Sequence, residues 1–149
     1  MKIIVIDGMG GGIGAELCER LKELAGGGGG ELIALGTNSA ATGRMIKAGA
    51  HRGATGENAI KVTVPGGDFI VGPIGIIIMN SMMGEITPAM AEAVLSAPGE
   101  RVLLPLQTDH FHIAGLGGET LGRLIDEAVE YIRGKTRNRL HDRRETVGE

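Results

Sequence analysis

Residues 2–21 read KIIVIDGMGGGIGAELCERL and contain an apolar run, a glycine-rich turn and an amphipathic segment, in that order. The run from Ile3 to Ile6 is typical of a strand that is buried on both faces of a parallel sheet. Five of the seven residues from Gly8 to Gly14 are glycine. Apolar residues then recur at helical spacing, at Ile13, Leu17, Leu21 and Leu24. The stretch therefore predicts a strand, a tight turn and a helix.

Strand and helix patterns continue to alternate along the rest of the chain. Further strands are predicted within residues 31–36, 68–78, 101–106 and 110–115, and helices within 38–49, 53–67, 87–97 and 119–135. The segment 53–67 also has β-branched residues, and we favour a short helix there. The connection at 107–109 is too short for a parallel crossover, so the last two strands are expected to pair antiparallel at one edge or to lie apart with a bend between them.

This order predicts a three-layer, Rossmann-like α/β sandwich whose mostly parallel sheet has about five strands. With 149 residues and 42% hydrophobic content, the chain has the size of one domain with one core. We predict that the domain occupies residues 1–134. Residues 135–149 carry five basic and three acidic side chains and are predicted to form a flexible tail.

Composition also limits the classes of function and the cellular location. Aromatic residues make up 2% of the chain, which leaves few rings for stacking bases and argues against nucleic-acid binding. No apolar run reaches the length of about 18 residues that a membrane span needs, and the N-terminal residues lack the pattern of a secretory signal. Cys18 is the sole cysteine, which excludes an internal disulfide. We therefore expect a cytoplasmic protein without membrane contact.

The glycine-rich turn has the spacing of a phosphate-binding loop. In a parallel α/β sheet the turn after the first strand brings backbone N–H groups and a helix N-terminus together, and anions bind there. Read from Gly10 the turn gives G-x-G-x-x-A, and read from Gly8 it gives G-x-x-x-G-x-G, a spacing that resembles short-chain dehydrogenases. A purely structural tight turn is the alternative. The predicted contacts to a phosphorylated small molecule are Asp7, Gly8, Gly10, Gly11, Gly12, Ile13 and Gly14 on the loop, Thr37, Asn38 and Ser39 on the ribose side, and Gly72 and Pro73 opposite.

Two features bear on the identity of that ligand. An acidic residue about 20 positions after the loop would accept hydrogen bonds from ribose hydroxyls, but residues 36–39 read GTNS. With Arg44 and Lys47 nearby, these neutral groups favour a 2′-phosphate, so NADP is expected rather than NAD. Asp7 would repel a phosphate unless Mg²⁺ lies between them, or unless its oxygens accept the loop's own N–H groups. We favour the second interpretation of Asp7.

Candidates for catalytic groups are few. Glu57, Asn58 and Asp109 are candidates for substrate contacts, and Glu57 is the best of them for a general acid or base, with an exposed capping role as its alternative. If the protein is an enzyme, a small NADP-dependent reductase is the first expectation. Tyr131 and Lys135 repeat the Y-x-x-x-K spacing of short-chain dehydrogenases at a helix end, and we interpret this match as coincidence.

His110 and His112 project to one face of a predicted strand, but no third ligand follows nearby, so we predict no metal site there. Cys18 is predicted to be a small core side chain rather than a nucleophile. Three methionines beside an isoleucine run form an adaptable apolar surface, either core or the interface of a homodimer: Met79, Met82 and Met83. The alternatives to an enzyme are a non-catalytic sensor or accessory module, and a structural dimer with no nucleotide ligand.

Several blocks, taken together and in order, resemble a bacterial family known as domain of unknown function 3842. The blocks are VIDGMGGGIG, ALGTNSAAT, KAGAHRGATGENAI, VGPIGIIIMNSMMGEITPAMAEA and LIDEAVEYI, and they span roughly residues 1–133. The resemblance implies a Rossmann-like α/β domain. It implies no established activity, so it assigns no catalytic residues. The run from Gly26 to Gly30 and the residues after Gly134 are local departures from the family pattern.

Overall fold

Five parallel strands form one sheet in the computed structural model, which describes residues 1–106 and 111–145. The strands are β1 (Lys2–Asp7), β2 (Glu31–Gly36), β3 (Arg52–Thr55), β4 (Phe69–Pro73) and β5 (Glu100–Leu104). The α-helices are α1 (Gly12–Gly26), α2 (Ser39–Lys47), α3 (Glu57–Thr63), α4 (Pro88–Ser96) and α5 (Leu121–Glu145). Short 3₁₀ turns at Val64–Gly66 and Ile74–Ile77 precede and follow β4.

The strand order is β3-β2-β1-β4-β5, so β1 lies at the centre of the sheet. The chain first winds outward from β1 through β2 to β3 and then crosses back to β4 and β5 on the other side. The winding direction therefore reverses between β1 and β4. In open α/β sheets this reversal opens a crevice at the carboxyl ends of the strands, where ligands bind. The glycine-rich turn follows β1 and lies at this crevice.

Two apolar layers cover the two faces of the sheet. Successive residues of β1 point to opposite faces, so that Ile3 and Val5 pack against α1 and α5 while Ile4 and Ile6 pack against α3 and α4. All four side chains are fully buried, and each such burial contributes about 1.5–3 kcal/mol. The helices on both faces confirm the predicted three-layer, Rossmann-like α/β fold.

The edge strands differ from the prediction. Residues 52–55 form β3, which pairs with β2. Its sequence, RGAT, contains no apolar run that would predict a strand. The strand predicted at 110–115 is wrong for residues 111–115, which form no strand, because an open loop there leads into α5. His110 lies outside the described residues. Within the described ranges every strand pairing is parallel, including that of β5 with β4, so the predicted antiparallel edge is also corrected.

The last helix is longer than its apolar pattern predicts. Its buried face, from Leu124 to Ile132, matches the prediction, but the helix continues past Lys135 as far as Glu145. Arg139 holds this extension to the sheet, since its guanidinium lies 5.0 Å from the centre of the Phe69 ring and 3.4 Å from Asp68. The flexibility of residues 135–149 stays a prediction. No helix among the described residues is long and apolar enough to cross a bilayer.

The glycine run between α1 and β2 provides a test of this packing. A side chain at Gly30 would collide with the Ala25 carbonyl oxygen and lie 2.8 Å from that of Met1, whereas one at Gly26 would meet no atom within 4 Å. We expect Gly30→Ala to lower the free energy of unfolding by about 1–3 kcal/mol. Gly26→Ala, the matched control at the end of α1, should instead raise it by about 0.5–1 kcal/mol. Urea unfolding measures both, and equal effects would contradict the assigned packing.

Candidate functional site

The glycine-rich turn, the end of β2 and the turn after β4 meet at one edge of the sheet. Thr37 donates its backbone N–H to the Asp7 carbonyl at 3.1 Å, and the Asn38 amide donates to the Met9 carbonyl at 2.9 Å. A side chain at Gly8 would lie 2.5 Å from Thr37 Oγ1 and 2.8 Å from Met82 Sδ. The structure thus brings together the predicted loop and two of the predicted ribose-side residues, Thr37 and Asn38.

Asp7, the last residue of β1, braces the loop. One oxygen of its carboxylate accepts the Gly8 N–H at 2.8 Å, the other accepts the Gly14 N–H at 2.7 Å, and the side chain is 2% exposed. Burial raises the pKa of Asp7, and the two N–H bonds oppose that shift. This is the arrangement that the bracing interpretation predicts. An enclosed carboxylate whose two oxygens both face backbone donors does not fit a Mg²⁺ ligand.

The five glycines of the loop fall into two groups. A side chain at Gly8, Gly11 or Gly14 would meet protein atoms at 2.8 Å or less, and Gly11 also has a φ of +72°. These three glycines are therefore required by the chain's own packing. Gly10 and Gly12 have ordinary φ values, and the nearest atom to a side chain there belongs to the exposed Arg44, at 3.9 and 3.4 Å. Nothing within the described chain demands glycine at these two positions.

The N-terminus of α1 presents free donors beside Gly10 and Gly12. Gly11 caps this helix without a side chain, and the first turn holds no acidic residue. Within the described part of the chain the N–H groups of Gly12 and Ile13 have no hydrogen-bond acceptor. The Arg44 guanidinium lies over the same turn and donates to the Gly10 carbonyl at 3.3 Å. Two open N–H groups, the positive end of the helix dipole and a guanidinium therefore share one small surface.

Glu85 is a site residue that sequence reasoning missed. Its carboxylate accepts hydrogen bonds from Thr37 Oγ1 at 2.7 Å, from Asn38 Nδ2 at 2.6 Å and from the Met9 N–H at 3.1 Å. Partial burial acts to raise the pKa of Glu85, but these three donors outweigh burial and hold the pKa below its usual value. Its partners lie at least 47 positions away in the chain, so no local pattern marks the residue.

The segment 79–86 positions Glu85 and is a compact turn with an unusual backbone. Three of its non-glycine residues have positive φ: Asn80, Met82 and Met83. The turn is closed by hydrogen bonds from Asn80 N–H to the Ile86 carbonyl at 2.7 Å and from Ser81 Oγ to the Gly75 carbonyl at 2.5 Å. Such backbone conformations cost about 1–3 kcal/mol each and persist where the surroundings enforce them.

A family model described as "Domain of unknown function (DUF3842)" matches residues 2–137, which include all five strands and most of α5. The chain belongs to this family. The match confirms the resemblance predicted from the sequence blocks. No curated protein matches the chain in sequence. A solved structure described as "Crystal structure of universal stress protein in complex with cAMP" is similar at 17% identity and a TM-score of 0.39, over 68% of this chain and 94% of that one. A similarity of this size bears on neither the fold nor the ligand.

Two predicted catalytic candidates of this DUF3842 chain, Glu57 and Asn58, lie at the start of α3 rather than on the glycine loop. Glu57, the first residue of α3, is exposed and accepts a hydrogen bond from Thr87 Oγ1 at 2.6 Å. Thr87 in turn accepts the Met90 N–H at 3.1 Å and so caps α4. Glu57 therefore links the starts of two helices, and both its role as a general acid or base and its capping alternative stay predictions. Asn58 is exposed on α3, and Asp109 lies outside the described residues.

Gly72 and Pro73 occupy the end of β4 at the same edge, but both are buried. A side chain at Gly72 would collide with the Ile6 carbonyl oxygen, so this glycine permits the close approach of β4 to β1. Direct contact of these two residues with a ligand stays a prediction. Ser39, by contrast, is exposed at the start of α2.

Other residues singled out in the sequence lie elsewhere. The Tyr131 hydroxyl bonds to Glu100 at the amino end of β5, the edge opposite the glycine loop, and Lys135 Nζ lies 5.5 Å from the Tyr131 ring centre. Cys18 is fully buried on α1, and burial raises its pKa to about 12, which suits a core side chain. In the described ranges no group of three or more His, Cys, Asp and Glu could hold a metal ion, and His112 is exposed.

A cavity of about 350 Å³ lies between β5 and α5, away from the glycine loop. Its walls are mainly apolar and include Leu104, Leu116 and Leu124. Residues 107–110, which follow its wall residue Pro105 closely in the chain, lie outside the described residues. None of the residues that line the cavity belongs to the glycine loop.

The contacts of Glu85 predict a pH-dependent effect on stability. Glu85→Gln keeps the shape but loses the charge, and we expect it to lower the free energy of unfolding by about 1 kcal/mol at about pH 7. Because the pKa of Glu85 is lower in the folded state, its stabilisation is present above the unfolded pKa and is lost as the pH falls through the folded value. Urea unfolding across a pH series should therefore show the difference shrinking below about pH 4. A difference that stays constant as the pH falls well below that value would contradict the assigned contacts.

Proposed function

We propose that this chain binds a nucleotide or another phosphorylated small molecule at the loop between β1 and α1. The observation that carries the proposal is the pair of glycines, Gly10 and Gly12, whose lack of a side chain no contact within the described chain requires. A ligand that approaches the backbone closely would require it. Glycine is otherwise disfavoured here, since each one loses more conformational freedom on folding than alanine does.

The charges around these glycines support an anionic ligand. A helix N-terminus carries the equivalent of about half a positive charge, and its first N–H groups point outward along the axis. The N–H groups of Gly12 and Ile13 are open there, and the guanidinium of Arg44 lies beside them. A phosphate bound at this point would replace missing hydrogen-bond acceptors and gain a charge-assisted bond from the arginine.

Thr37, Asn38 and Ser39 supply the second part of the proposed site. Thr37 and Asn38 are partly exposed, Ser39 is exposed, and all three follow β2 directly beside the loop. A ligand whose phosphate lies on the N-terminus of α1 would extend across these residues, as dinucleotides do in other sheets with the same reversal of strand order. The NADP preference stays untested, and the enclosure of Asp7 gives no support to a Mg²⁺ ion at that residue.

We propose a binding or sensor module in preference to a reductase. Glu57 is hydrogen-bonded to Thr87 rather than directed at the glycine loop, which leaves the proposed site without its best candidate for proton transfer.

We also propose that the protein is a homodimer in the cytoplasm. The exposed side chains of Met79 and Met83 lie in the turn that holds Glu85, and a buried free thiol at Cys18 suits a reducing compartment.

A direct test is a thermal-shift and calorimetric panel of NAD, NADP, ADP, ATP, GTP, coenzyme A and S-adenosylmethionine at millimolar concentrations. A ligand that binds the native state raises the melting temperature by mass action. We expect Gly12→Ala to fold normally, because its side chain would meet only Arg44, and to weaken binding about tenfold or more by blocking close approach. Gly122→Ala on α5, where a side chain would meet no atom within 4 Å, is the control.

Unchanged affinity in Gly12→Ala would place the ligand elsewhere. If no compound of the panel shifts the melting temperature, the nucleotide proposal fails, and the structural dimer with a dry glycine turn takes its place.

The role of Arg44 gives a separate prediction. Arg44→Gln should weaken binding of the best compound of the panel about tenfold and flatten its salt dependence, because an ionic contact to phosphate is lost. Arg44→Lys should restore part of the affinity, since it keeps the charge without the fork geometry. Isothermal titration at two ionic strengths measures both effects, and equal affinities of the Gln and Lys variants would argue against an ionic role.

A further inference from the structure

We infer that Glu85 selects the ligand of the loop by accepting hydrogen bonds from ribose hydroxyls and excluding a 2′-phosphate. The ligand class is then nucleotides whose ribose carries free hydroxyls, such as NAD or adenine nucleotides, and not NADP. This inference rests on the proposed function and names the specificity of the same site.

The position of the carboxylate carries the inference. In dinucleotide-binding sheets an acidic residue at the end of the second strand accepts the ribose hydroxyls. Residues 36–39 read GTNS and provide no such group. Glu85 brings its carboxylate to this place from a distant segment, within hydrogen-bond distance of Thr37 and Asn38 directly after β2 and of Met9 in the glycine loop. The acidic residue that the sequence lacks at the end of β2 is therefore supplied there by Glu85.

The two oxygens of Glu85 are unequally occupied. Oε1 accepts from Thr37 Oγ1, from Asn38 Nδ2 and, at 3.3 Å, from the Met9 N–H. Oε2 accepts only the Met9 N–H among the described residues, at 3.1 Å. A carboxylate offers about four lone-pair positions, two on each oxygen, so Oε2 has room for one more donor. A ribose hydroxyl is a donor of the right size, whereas a phosphate near pH 7 offers mainly acceptors.

The protein holds this carboxylate in place before any ligand arrives. The turn 79–86 keeps three non-glycine residues at positive φ, and Met82 packs its sulfur against Gly8 of the loop. Strain of this kind clusters at ligand-binding sites, where it serves to fix a group in advance. The hydrogen bond from Ser81 to the Gly75 carbonyl ties this segment to the 3₁₀ turn after β4. Loop, turn and acid therefore form one connected unit.

Charge gives the same selectivity. A 2′-phosphate beside Thr37 and Asn38 would bring a second anion next to the Glu85 carboxylate, and like charges at hydrogen-bond distance repel strongly. Arg44 reaches Gly10 on the side of the α1 N-terminus, where it can neutralise a bridging phosphate. The preference for NADP was predicted because the residues after β2 are neutral. Glu85 places a negative charge beside those residues, which favours a ribose without a 2′-phosphate.

The decisive experiment is isothermal titration of NAD and NADP, and of AMP and adenosine 2′,5′-bisphosphate, against wild type, Glu85→Gln and Glu92→Gln. Glu92 is an exposed glutamate on α4 and is the matched control. We expect wild type and Glu92→Gln to bind each unphosphorylated ribose about tenfold or more tightly than its 2′-phosphorylated partner. In Glu85→Gln this ratio should fall towards one, because NAD weakens and NADP does not.

A second measurement uses wild type alone and so does not depend on how the variant folds. Comparing ATP with 2′,3′-dideoxy-ATP should show about fivefold or greater weakening when the hydroxyls are missing. Equal binding of these two nucleotides, or a wild type that prefers NADP, would overturn the role of Glu85 while leaving the nucleotide site intact. Tighter binding of NAD and NADP alike by Glu85→Gln would also overturn it, since the carboxylate would then only block the site. If none of these nucleotides binds, the proposed function itself fails and the inference with it.

Discussion

The carboxylate of Asp7 is the interaction on which the site depends. It joins the last residue of the central strand to Gly8 and to Gly14 in the first turn of α1, and so fixes where the strand stops and how the helix departs. Burying a carboxylate is costly, and two short N–H bonds offset part of that cost. Because Asp7 takes the Gly14 N–H, the donors that remain open at the helix N-terminus are those of Gly12 and Ile13.

The same brace explains why the loop contains so many glycines. Drawing Gly14 down onto Asp7 leaves no space there for a side chain, which would lie 2.5 Å from Met45 Sδ and 2.7 Å from Asp7 Cβ. Gly11 must adopt a positive φ to start the helix, and a side chain there would lie 2.7 Å from the α-carbon of Ala41 in α2. Internal packing thus accounts for part of the glycine content, and only the outward-facing Gly10 and Gly12 bear on a ligand. A glycine pattern in a sequence therefore does not by itself distinguish glycines required by internal packing from glycines required by a ligand.

Sequence patterns predicted the elements whose residues are determined by their immediate neighbours. The apolar run of β1 and the amphipathic face of α1 both depend on short-range geometry, and the structure has them. The edge strand β3 has no such signal, since RGAT owes its extended form to backbone pairing with β2. The end of α5 was missed for a related reason, because Arg139 is held by Asp68 and Phe69 far along the chain.

Glu85 could not be predicted from the sequence either, because its hydrogen-bond partners are distant in the chain. The site therefore contains two acidic residues, Asp7 and Glu85, with different roles. The environments of Asp7 and Glu85 push their pKa values in opposite directions, a pattern that often marks an acid and base pair. Geometry argues against that interpretation. Asp7 is enclosed, and both of its oxygens accept backbone N–H groups. Glu85 is partly exposed, and its Oε2 can accept a further hydrogen bond. Asp7 therefore shapes the loop from inside, and Glu85 is the acid that a ligand would meet. The contrast in their pKa values follows from this division between structure and recognition, and it requires no catalytic proton transfer.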